Sequence, residues 1–325
     1  MLKSYQLQNG GLKGAVIPEG GEIPSGSLWL DLLNPSVEER HAVDRFMQME
    51  LPTRADMEEI EISSRLYQED GGVFMTALVL SNTDTERPMT DVVTFVLARE
   101  RLITLRYIDP QPFRTFAARC DRAAIPLSKA ESILMALLDA IIDRMADVLE
   151  RVGAEVETVS REIFDPSPRR MAAKDFIDVL RTLGRKHDLT GKLRQSLLTL
   201  SRVLSFLTQA LDSGSKPSKD VRTHLKTLTR DVQSLQDHSS YLTGKIGYLQ
   251  DGTLGLINNE QNNIIKIMSV AAMVFLPPTL FASIWGMNFQ GMPELDQWWG
   301  YPLAILVMVV SAVLPYLWFK RRGWL

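Results

Sequence analysis

The sequence predicts an α/β domain followed by a long helical stalk and two carboxyl-terminal transmembrane helices. Residues 267–285 and 300–319 form two uncharged apolar segments. Each is close to the ~20 residues that a helix needs to cross about 30 Å of hydrocarbon. No proline occurs from residue 219 to residue 276, so one helix can run from the stalk into the first apolar segment. Short runs rich in β-forming residues occupy the amino-terminal part.

Residues 1–120 are predicted to form the compact α/β domain. Two helical patterns follow prolines and begin with favourable N-cap residues, Ser36 for residues 36–48 and Thr53 for residues 53–64. Runs bounded by Gly, Pro, Asn or Asp surround these helices and predict strands. The predicted strands are residues 28–32, 73–80, 92–97 and 102–107.

The rest of the chain divides into a hairpin, a stalk, a loop and a second span. Residues 121–218 are expected to form an antiparallel helical hairpin, because two helical patterns there are each followed by helix-breaking residues. Residues 219–286 form the stalk helix and its continuation as the first transmembrane helix. Residues 287–299 form an external loop, and residues 300–325 form the second transmembrane helix with a basic tail.

The flanking charges predict the orientation in the membrane. Lys320, Arg321 and Arg322 follow the second apolar segment as a cytoplasmic basic ring. Lys266 precedes the first segment, whereas residues 288–299 contain no Lys or Arg. Both termini are therefore predicted to be cytoplasmic, and the start of the chain has no apolar run resembling a signal peptide. We expect a multi-pass protein of the inner (cell) membrane, in contact with membrane lipid.

Composition and motifs argue against several functional classes. The single cysteine, Cys120, excludes an intramolecular disulfide and a multi-thiolate metal site. A net charge of −3 gives no whole-chain basic footprint for nucleic acid. The four histidines lack metal-ligand spacing, and the Thr-Gly-Lys triplets at residues 190–192 and 243–245 lack the upstream glycines of a phosphate-binding loop. We therefore predict neither an enzyme nor an organic cofactor.

A polar stripe along the stalk and first transmembrane helix suggests a water-filled path. Residues taken at alternating intervals of three and four positions along the helix lie on one narrow face and are mostly polar or small. This repeat favours several helices packed around an axis. In lipid such a face must contact protein or water. The alternative is tight helix packing in a monomeric or dimeric anchor. The polar stripe consists of Asp251, Gly255, Asn258, Asn262, Ile265, Ser269, Ala272, Leu276, Thr279 and Ser283.

Several motifs resemble the CorA family of divalent-cation channels. Gly286, Met287 and Asn288 follow the first apolar segment, with an acidic stretch at residues 292–296 close behind. Residues 258–267 and 274–280 resemble the family's pore-helix sequence. Other similar segments are residues 29–40, 54–65, 300–302 and 319–325, so the resemblance covers essentially the whole chain. Trp285 stands where the family commonly has tyrosine, which leaves the Gly-Met-Asn motif intact.

The resemblance implies a homopentamer in which five first-span helices line a pore and the cytoplasmic domains form a CorA-like funnel. Gly286, Met287 and Asn288 would form the selectivity filter. The implied activity is conduction of hydrated Mg²⁺, and also of Co²⁺ and Ni²⁺, down the electrochemical gradient. The pore-lining residues would be Asp251, Asn258, Asn262, Ile265, Met268, Ser269, Ala272, Leu276, Thr279 and Ser283, with Ile265, Met268 and Leu276 as hydrophobic constrictions.

The chemistry of Mg²⁺ suits a ring of asparagines. Mg²⁺ sheds its waters reluctantly, and the amide oxygens of an Asn288 ring can accept hydrogen bonds from a retained water shell. A carboxylate ring would hold the dication too tightly for release. Glu294 and Asp296 are expected to concentrate cations at the external mouth, the alternative being that they are ordinary loop acids.

The resemblance also implies that intracellular Mg²⁺, bound between a cytoplasmic domain and the neighbouring stalk, closes the pore. Asp84 lies after a predicted strand, roughly where the family carries a sensing carboxylate, and is expected to face Asp231 or Asp237 of the stalk. The acidic run at residues 56–61 is interpreted as a solvated helix face.

Two alternatives to a magnesium channel stay open. One is the related zinc-transporting branch of the same superfamily, against which the intact Gly-Met-Asn motif and the lack of a Cys/His cluster argue. The other, of a different class, is a membrane-anchored interaction protein without transport. Ion flux into proteoliposomes distinguishes all three.

Overall fold

The computed structural model describes residues 1–8, 11–85, 87–122, 127–164, 173–213, 219–288, 292 and 297–323. It contains two compact units. The first is built from Met1–Pro168 and Asp178–Leu249, and the second from Arg169–Ile177 and Gln250–Leu325.

A seven-stranded sheet forms the centre of the first unit. Strands β3 and β7 pair in parallel, and every other neighbouring pair is antiparallel. The four predicted strands are confirmed, whereas β1, β2 and β4 were not predicted. The strands are β1 (Leu2–Gln8), β2 (Gly11–Ile17), β3 (Ser27–Leu33), β4 (Leu66–Glu69), β5 (Gly72–Ser81), β6 (Met89–Ala98) and β7 (Arg101–Arg106), in the order β2-β1-β3-β7-β6-β5-β4.

A buried polar network joins the parallel strands β3 and β7. The Asp31 carboxylate accepts hydrogen bonds from Thr104 and from the Arg106 guanidinium at 2.7–3.0 Å, and Thr104 in turn accepts from the indole N–H of Trp29. Arg106 and Asp31 are only 5% and 4% exposed. Because removing one partner would leave an uncompensated buried charge, the pair favours the observed pairing of β7 with β3.

Four short helices, α1 to α4, accompany the sheet. Helix α1 (Val37–Met47) and helix α2 (Arg54–Glu58) both begin with a capping box, at Ser36 and Thr53 respectively, which confirms both predicted N-caps. The helix predicted over residues 53–64 is wrong in its length, since the backbone turns to an extended conformation at Glu59. A separate helix, α3 (Ile62–Arg65), follows, and helix α4 (Gln111–Arg122) was not predicted.

Long helices make up the rest of the first unit. Helices α5 (Ala130–Phe164) and α6 (Ala173–Ser213) correspond to the predicted hairpin, and α7 (Lys219–Trp285) to the predicted stalk and first transmembrane helix. Within the first unit α7 buries one side at helical spacing, as expected for a helix packed on its neighbours. The buried apolar residues on that side are Leu225, Leu228, Val232, Leu242, Ile246 and Leu249.

Helix α6 completes the hydrogen bonding of strand β5 where the short strand β4 no longer covers it. The Leu78 amide donates to Thr199 Oγ1 at 3.0 Å, and the hydroxyl of Ser196 donates to the Leu78 carbonyl. Both hydroxyl residues are nearly or fully buried. An open strand edge would otherwise leave these groups unpaired, so the two side chains attach the helical layer to the sheet.

The second unit contains the two candidate membrane spans. Helix α7 continues through Pro277 and Pro278 to Trp285, and helix α8 covers Gly300–Arg321. Both are long and apolar enough to cross a membrane, and only 6% of each apolar window is buried. The two predicted spans are therefore helical, and their apolar surfaces are largely uncovered within one chain.

Candidate functional site

The carboxyl-terminal part of α7 has one face that is covered and one that is open. The covered face runs along Val270, Val274, Pro277, Phe281 and Trp285, of which Val270 is only 5% exposed and the others are half-buried. Residues of α7 and α8 line a common cavity, which shows that the two helices lie side by side. Helix α8 therefore lies beside this face of α7 at Pro277.

The residues predicted to line a pore all lie on the open face. At 3.6 residues per turn their direction is about half a turn from that of the covered face. Large apolar members of this face are strongly exposed, Ile265 at 61%, Met268 at 68% and Leu276 at 65%. The remaining predicted residues are exposed too: Asp251, Asn258, Asn262, Ser269, Ala272, Thr279 and Ser283. The geometry thus leaves the polar stripe free to face other copies of the chain or water.

Thr279 shows how a hydroxyl on this face is polarised. Its Oγ1 donates to the carbonyl of Phe275 within the helix at 2.7 Å. With its proton directed into the helix, the oxygen keeps its lone pairs for acceptance from outside. Water molecules around a dication are strong donors, so this arrangement suits contact with a hydrated cation.

The Gly-Met-Asn motif forms the turn that ends α7. The amide of Gly286 donates to the Ala282 carbonyl at 2.9 Å, and the amide of Met287 donates to the Ile284 carbonyl at 3.3 Å. A Cβ atom at residue 286 would lie 3.0 Å from the Ala282 carbonyl oxygen, so this tight turn favours glycine. Asn288 follows with its side chain exposed.

The two acids proposed for the external mouth, Glu294 and Asp296, lie outside the residues that the structure describes. The basic residues at the other end of the hairpin are described. Lys320 and Arg321 form the last turn of α8, and Arg322 caps the helix with its guanidinium 4.9 Å from the centre of the Trp318 ring. The two arginines therefore have different contacts. Arg322 stacks on Trp318, whereas Arg321 lines a cavity between α7 and α8.

Asp84 pairs with arginines within the chain. Arg144 of α5 donates to both carboxylate oxygens of Asp84 at 2.7 Å, and Arg151 donates to the same group. These hydrogen bonds, from Arg151 first and then Arg144, lower the pKa of Asp84. Within one chain Asp84 therefore contacts two guanidinium groups, and the contact expected between Asp84 and Asp231 or Asp237 of the neighbouring stalk stays a prediction.

Asp231 lies instead beside acidic residues of α5. Asp139, Asp143 and Asp147 follow one another at intervals of four residues on α5. Desolvation raises the pKa of Asp143, and the negative charges of Asp139, Asp147 and Asp231 add to this effect. Asp237 accepts a hydrogen bond from Gln233 at 3.2 Å. Among the described residues no group of three or more His, Cys, Asp or Glu side chains is arranged to hold a metal ion.

Arg144 and Arg151 are site residues that the sequence reasoning missed. Their spacing of seven residues places them on one face of α5, which was a detectable signal. Their partner was not detectable from that spacing, because Asp84 is 60 residues from Arg144 and 67 from Arg151.

Comparisons with known proteins agree over nearly the whole chain. A family model described as CorA-like Mg²⁺ transporter protein matches residues 24–321. The magnesium transport protein CorA of Escherichia coli (strain K12) is 34% identical over 325 residues, which is 100% of both chains. The corresponding protein of Yersinia pestis is also 34% identical over 100% of both chains.

Solved structures show the same fold. The complete structure of the CorA magnesium transporter from Methanocaldococcus jannaschii matches with a TM-score of 0.75 at 17% identity, covering 100% of this chain and 99% of that one. The full-length CmaX protein matches with a TM-score of 0.66 at 15% identity, covering 99% and 97%. With an α/β domain, a continuous stalk and transmembrane helix, a Gly-Met-Asn turn and full-length similarity, the chain belongs to the CorA-like Mg²⁺ transporter family.

Proposed function

We propose that this chain is the subunit of a homopentameric channel that conducts hydrated Mg²⁺, and also Co²⁺ and Ni²⁺, through the inner membrane. The observation that carries the proposal is the division of α7 into a half-buried face, with α8 beside it at Pro277, and an opposite open face with the polar stripe. Copies of α7 assembled around an axis can enclose that stripe while α8 stays on the outside. Relatives named magnesium transport protein, at 34% identity over the full length, indicate the ion.

In this proposal the Gly-Met-Asn turn is the selectivity filter. Five Asn288 side chains would present amide oxygens to the water shell of the ion, which suits a cation that dehydrates reluctantly. Thr279 and Asn262 would contact the same shell further along the pore, and Ile265, Met268 and Leu276 would narrow it. Glu294 and Asp296 would attract cations to the mouth.

The basic tail supports an orientation with both termini in the cytoplasm. In that orientation a negative-inside membrane potential drives uptake, since two charges gain roughly 4.6 kcal/mol per 100 mV. No catalytic step or organic cofactor is required for such transport, so the proposed protein is a channel and not an enzyme.

We also propose that intracellular Mg²⁺ closes the channel, with Asp84, Asp231 and Asp237 as candidate ligands. Asp231 has stronger support than Asp84, because it lies beside the acidic row of Asp139, Asp143 and Asp147 on α5, where a dication would offset the mutual repulsion of the carboxylates. Asp84 would have to exchange its contacts with Arg144 and Arg151 for a contact with Mg²⁺. We therefore expect Asp84 to contribute less than Asp231.

Flux measurement tests the proposal directly. The purified chain is reconstituted into liposomes, and uptake of Mg²⁺, Co²⁺, Ni²⁺ and Zn²⁺ is followed with an internal fluorescent indicator under an imposed negative-inside potential. The mass of the detergent-solubilised assembly is measured in parallel. Mg²⁺ uptake by a pentamer is the expected result, whereas uptake of Zn²⁺ without Mg²⁺ would indicate zinc transport. A correctly assembled protein that passes neither ion would be a membrane anchor and not a channel.

A further inference from the structure

A cavity of about 690 Å³ lies between α7 and α8 near the basic end of α8. Met273 and Pro277 of α7 line one side, and Leu314, Leu317 and Trp318 of α8 contribute to the other side. The lining is predominantly apolar, except that Arg321 stands at the end where the span meets the basic tail. An apolar interior with one cation at its rim matches an amphiphile with a negatively charged head.

The apolar side chains of this cavity are accessible within the chain. Leu314 is 62% exposed, Met273 52% and Leu317 47%, whereas Phe319 behind them is 6% exposed and closes the base. The cavity therefore opens on the surface of α7 and α8, among the exposed apolar residues of the two candidate spans. Lipid chains are the solvent at that level.

Among the described residues of the two spans, no Asp or Glu side chain lies at the height of the Arg321 charge. No Asp or Glu occurs from residue 261 to residue 285 or from residue 297 to residue 325. Glu260 is the nearest acid before this stretch of α7, and it precedes Met273 by about 20 Å of helix. Copies related by a rotation axis along the membrane normal lie at equal heights, so a second copy would not bring an acid to Arg321 either. A lipid phosphate at the membrane surface is the anion that fits this position.

Arg321 and Arg322 have different surroundings, which makes the site testable. Arg322 does not line the cavity but stacks on Trp318, with its guanidinium 4.9 Å from the ring centre. Arg321 lines the cavity itself. Arg321 is thus placed to contact a headgroup at the cavity rim, while Arg322 is held on the Trp318 ring.

We propose that this cavity binds an anionic phospholipid from the leaflet on the side of the basic tail. One acyl chain lies between Met273, Pro277 and Leu314, and the phosphate contacts Arg321. This site goes beyond ion conduction and requires only that the two helices span the membrane. Its test uses no ion flux, so failure of this proposal and failure of the proposed channel function are distinguishable.

The experiment places a photo-crosslinking benzoylphenylalanine at residue 314 of the full chain, in nanodiscs of equal parts phosphatidylglycerol and phosphatidylcholine. The matched control carries the same group at residue 306, an exposed leucine of α8 that does not line the cavity. After illumination, adducts are identified by mass spectrometry. Residue 314 should give about five-fold more phosphatidylglycerol than phosphatidylcholine adduct, the effect of about one basic side chain at a membrane surface. Residue 306 should give nearly equal amounts.

Charge variants complete the test. Arg321→Gln should bring the ratio at residue 314 close to one, whereas Arg322→Gln should leave most of the preference in place. Equal adducts at residue 314 in the parent protein would overturn the proposal. Crosslinks from residue 314 to a second copy, or to the tail of the same chain, would also overturn it, because protein and not lipid would then fill the cavity.

Discussion

Arg144 on α5 donates to both carboxylate oxygens of Asp84, each at 2.7 Å, and so fastens the β5–β6 connection to the long helical layer. The same guanidinium donates to Thr83 at 2.8 Å, and Arg151 adds a further contact to Asp84. The Asp84 side chain is 58% exposed, so solvent screens the pair and its effect on stability is modest. The position of this ion pair matters more than its strength, because the pair joins the sheet to the long helices of the first unit.

The first prediction concerns Asp84→Asn. Loss of the carboxylate leaves Arg144 and Arg151 facing each other without an anion, so the full chain should lose about 0.5–1 kcal/mol of stability at neutral pH. The lowered pKa of Asp84 determines how its contribution to stability changes with pH. The stabilisation from Asp84 is present above its unfolded pKa and is lost as the pH falls through the folded pKa. Thermal melting of the parent and variant should therefore differ at pH 7 and converge in acid.

A regulatory role for Asp84 is separated from this structural role by the Mg²⁺ inhibition curve. We expect Asp84→Asn to shift that curve less than Asp231→Asn does. Asp188→Asn is the matched control, because it removes the same charge from an exposed pair with Lys192 on α6. A larger shift for Asp84→Asn than for Asp231→Asn would mean that Asp84 is the main sensing ligand.

The second prediction concerns Asp143→Asn in the acidic row beside Asp231. Because the pKa of Asp143 is raised, its ionised form opposes folding, and this unfavourable effect grows as the pH rises through the raised pKa. The amide should therefore raise the melting temperature at pH 7 and change it little well below pH 3.8, where the carboxyl group binds a proton in both the folded and the unfolded state. Millimolar Mg²⁺ should stabilise the parent more than the variant. Equal stabilisation of both proteins by Mg²⁺ would remove Asp143 from any regulatory site.

Local signals explain which parts of the fold were predictable. Ser36 with Glu39 and Thr53 with Asp56 form capping boxes from residues only three positions apart, so the sequence alone identifies these helix starts. Strand β2, Gly11–Ile17, contains two glycines and owes its conformation to pairing with β1, which a local pattern does not encode.

In the candidate site, too, features set by local sequence patterns were predictable and contacts set by tertiary packing were not. The polar stripe of α7 was predictable because helical periodicity fixes which residues share a face. Gly286 was predictable as part of a short motif, and its tight contact with the Ala282 carbonyl gives a physical reason for the glycine. The contact of Asp84 with Arg144 depends on how α5 packs against the sheet, and no local pattern determines that packing.

The third prediction tests how α6 completes strand β5. Thr199→Val keeps the shape of the side chain but removes the oxygen that accepts from the Leu78 amide. A buried unpaired amide costs about 1–3 kcal/mol, so the melting temperature of the full chain should fall measurably. Thr208→Val on the same helix is the control, because its hydroxyl donates to the Leu204 carbonyl within α6 itself. Similar small losses for both variants would contradict the assigned role of Thr199.

The fourth prediction concerns the filter, where Asn288→Asp would replace a ring of amides with a ring of carboxylates. Negative charge should raise cation affinity at the mouth and slow release, so Mg²⁺ throughput should fall by an order of magnitude or more. Proteoliposome uptake measures this change, and the mass of the assembly confirms that the variant is intact. Asn263→Asp is a control on the half-buried side of α7. Unchanged flux in a correctly assembled Asn288→Asp protein would exclude Asn288 from the filter.

The last prediction tests which face of α7 meets water in the assembled protein. Single cysteines are introduced in a Cys120→Ser background, which removes a buried thiol. Residues 269, 272, 276, 279 and 283 sample the open face, and residues 270, 274 and 281 sample the buried or half-buried face. A thiolate forms readily in water and poorly in apolar surroundings, so a small cationic thiol reagent should modify the first set faster and block flux there. Addition of millimolar Mg²⁺ should slow modification at the deeper positions if closure narrows the pore at Leu276 and Met268. Equal labelling around the helix, or labelling confined to the second set, would show that the polar stripe packs against protein and does not line a water-filled path.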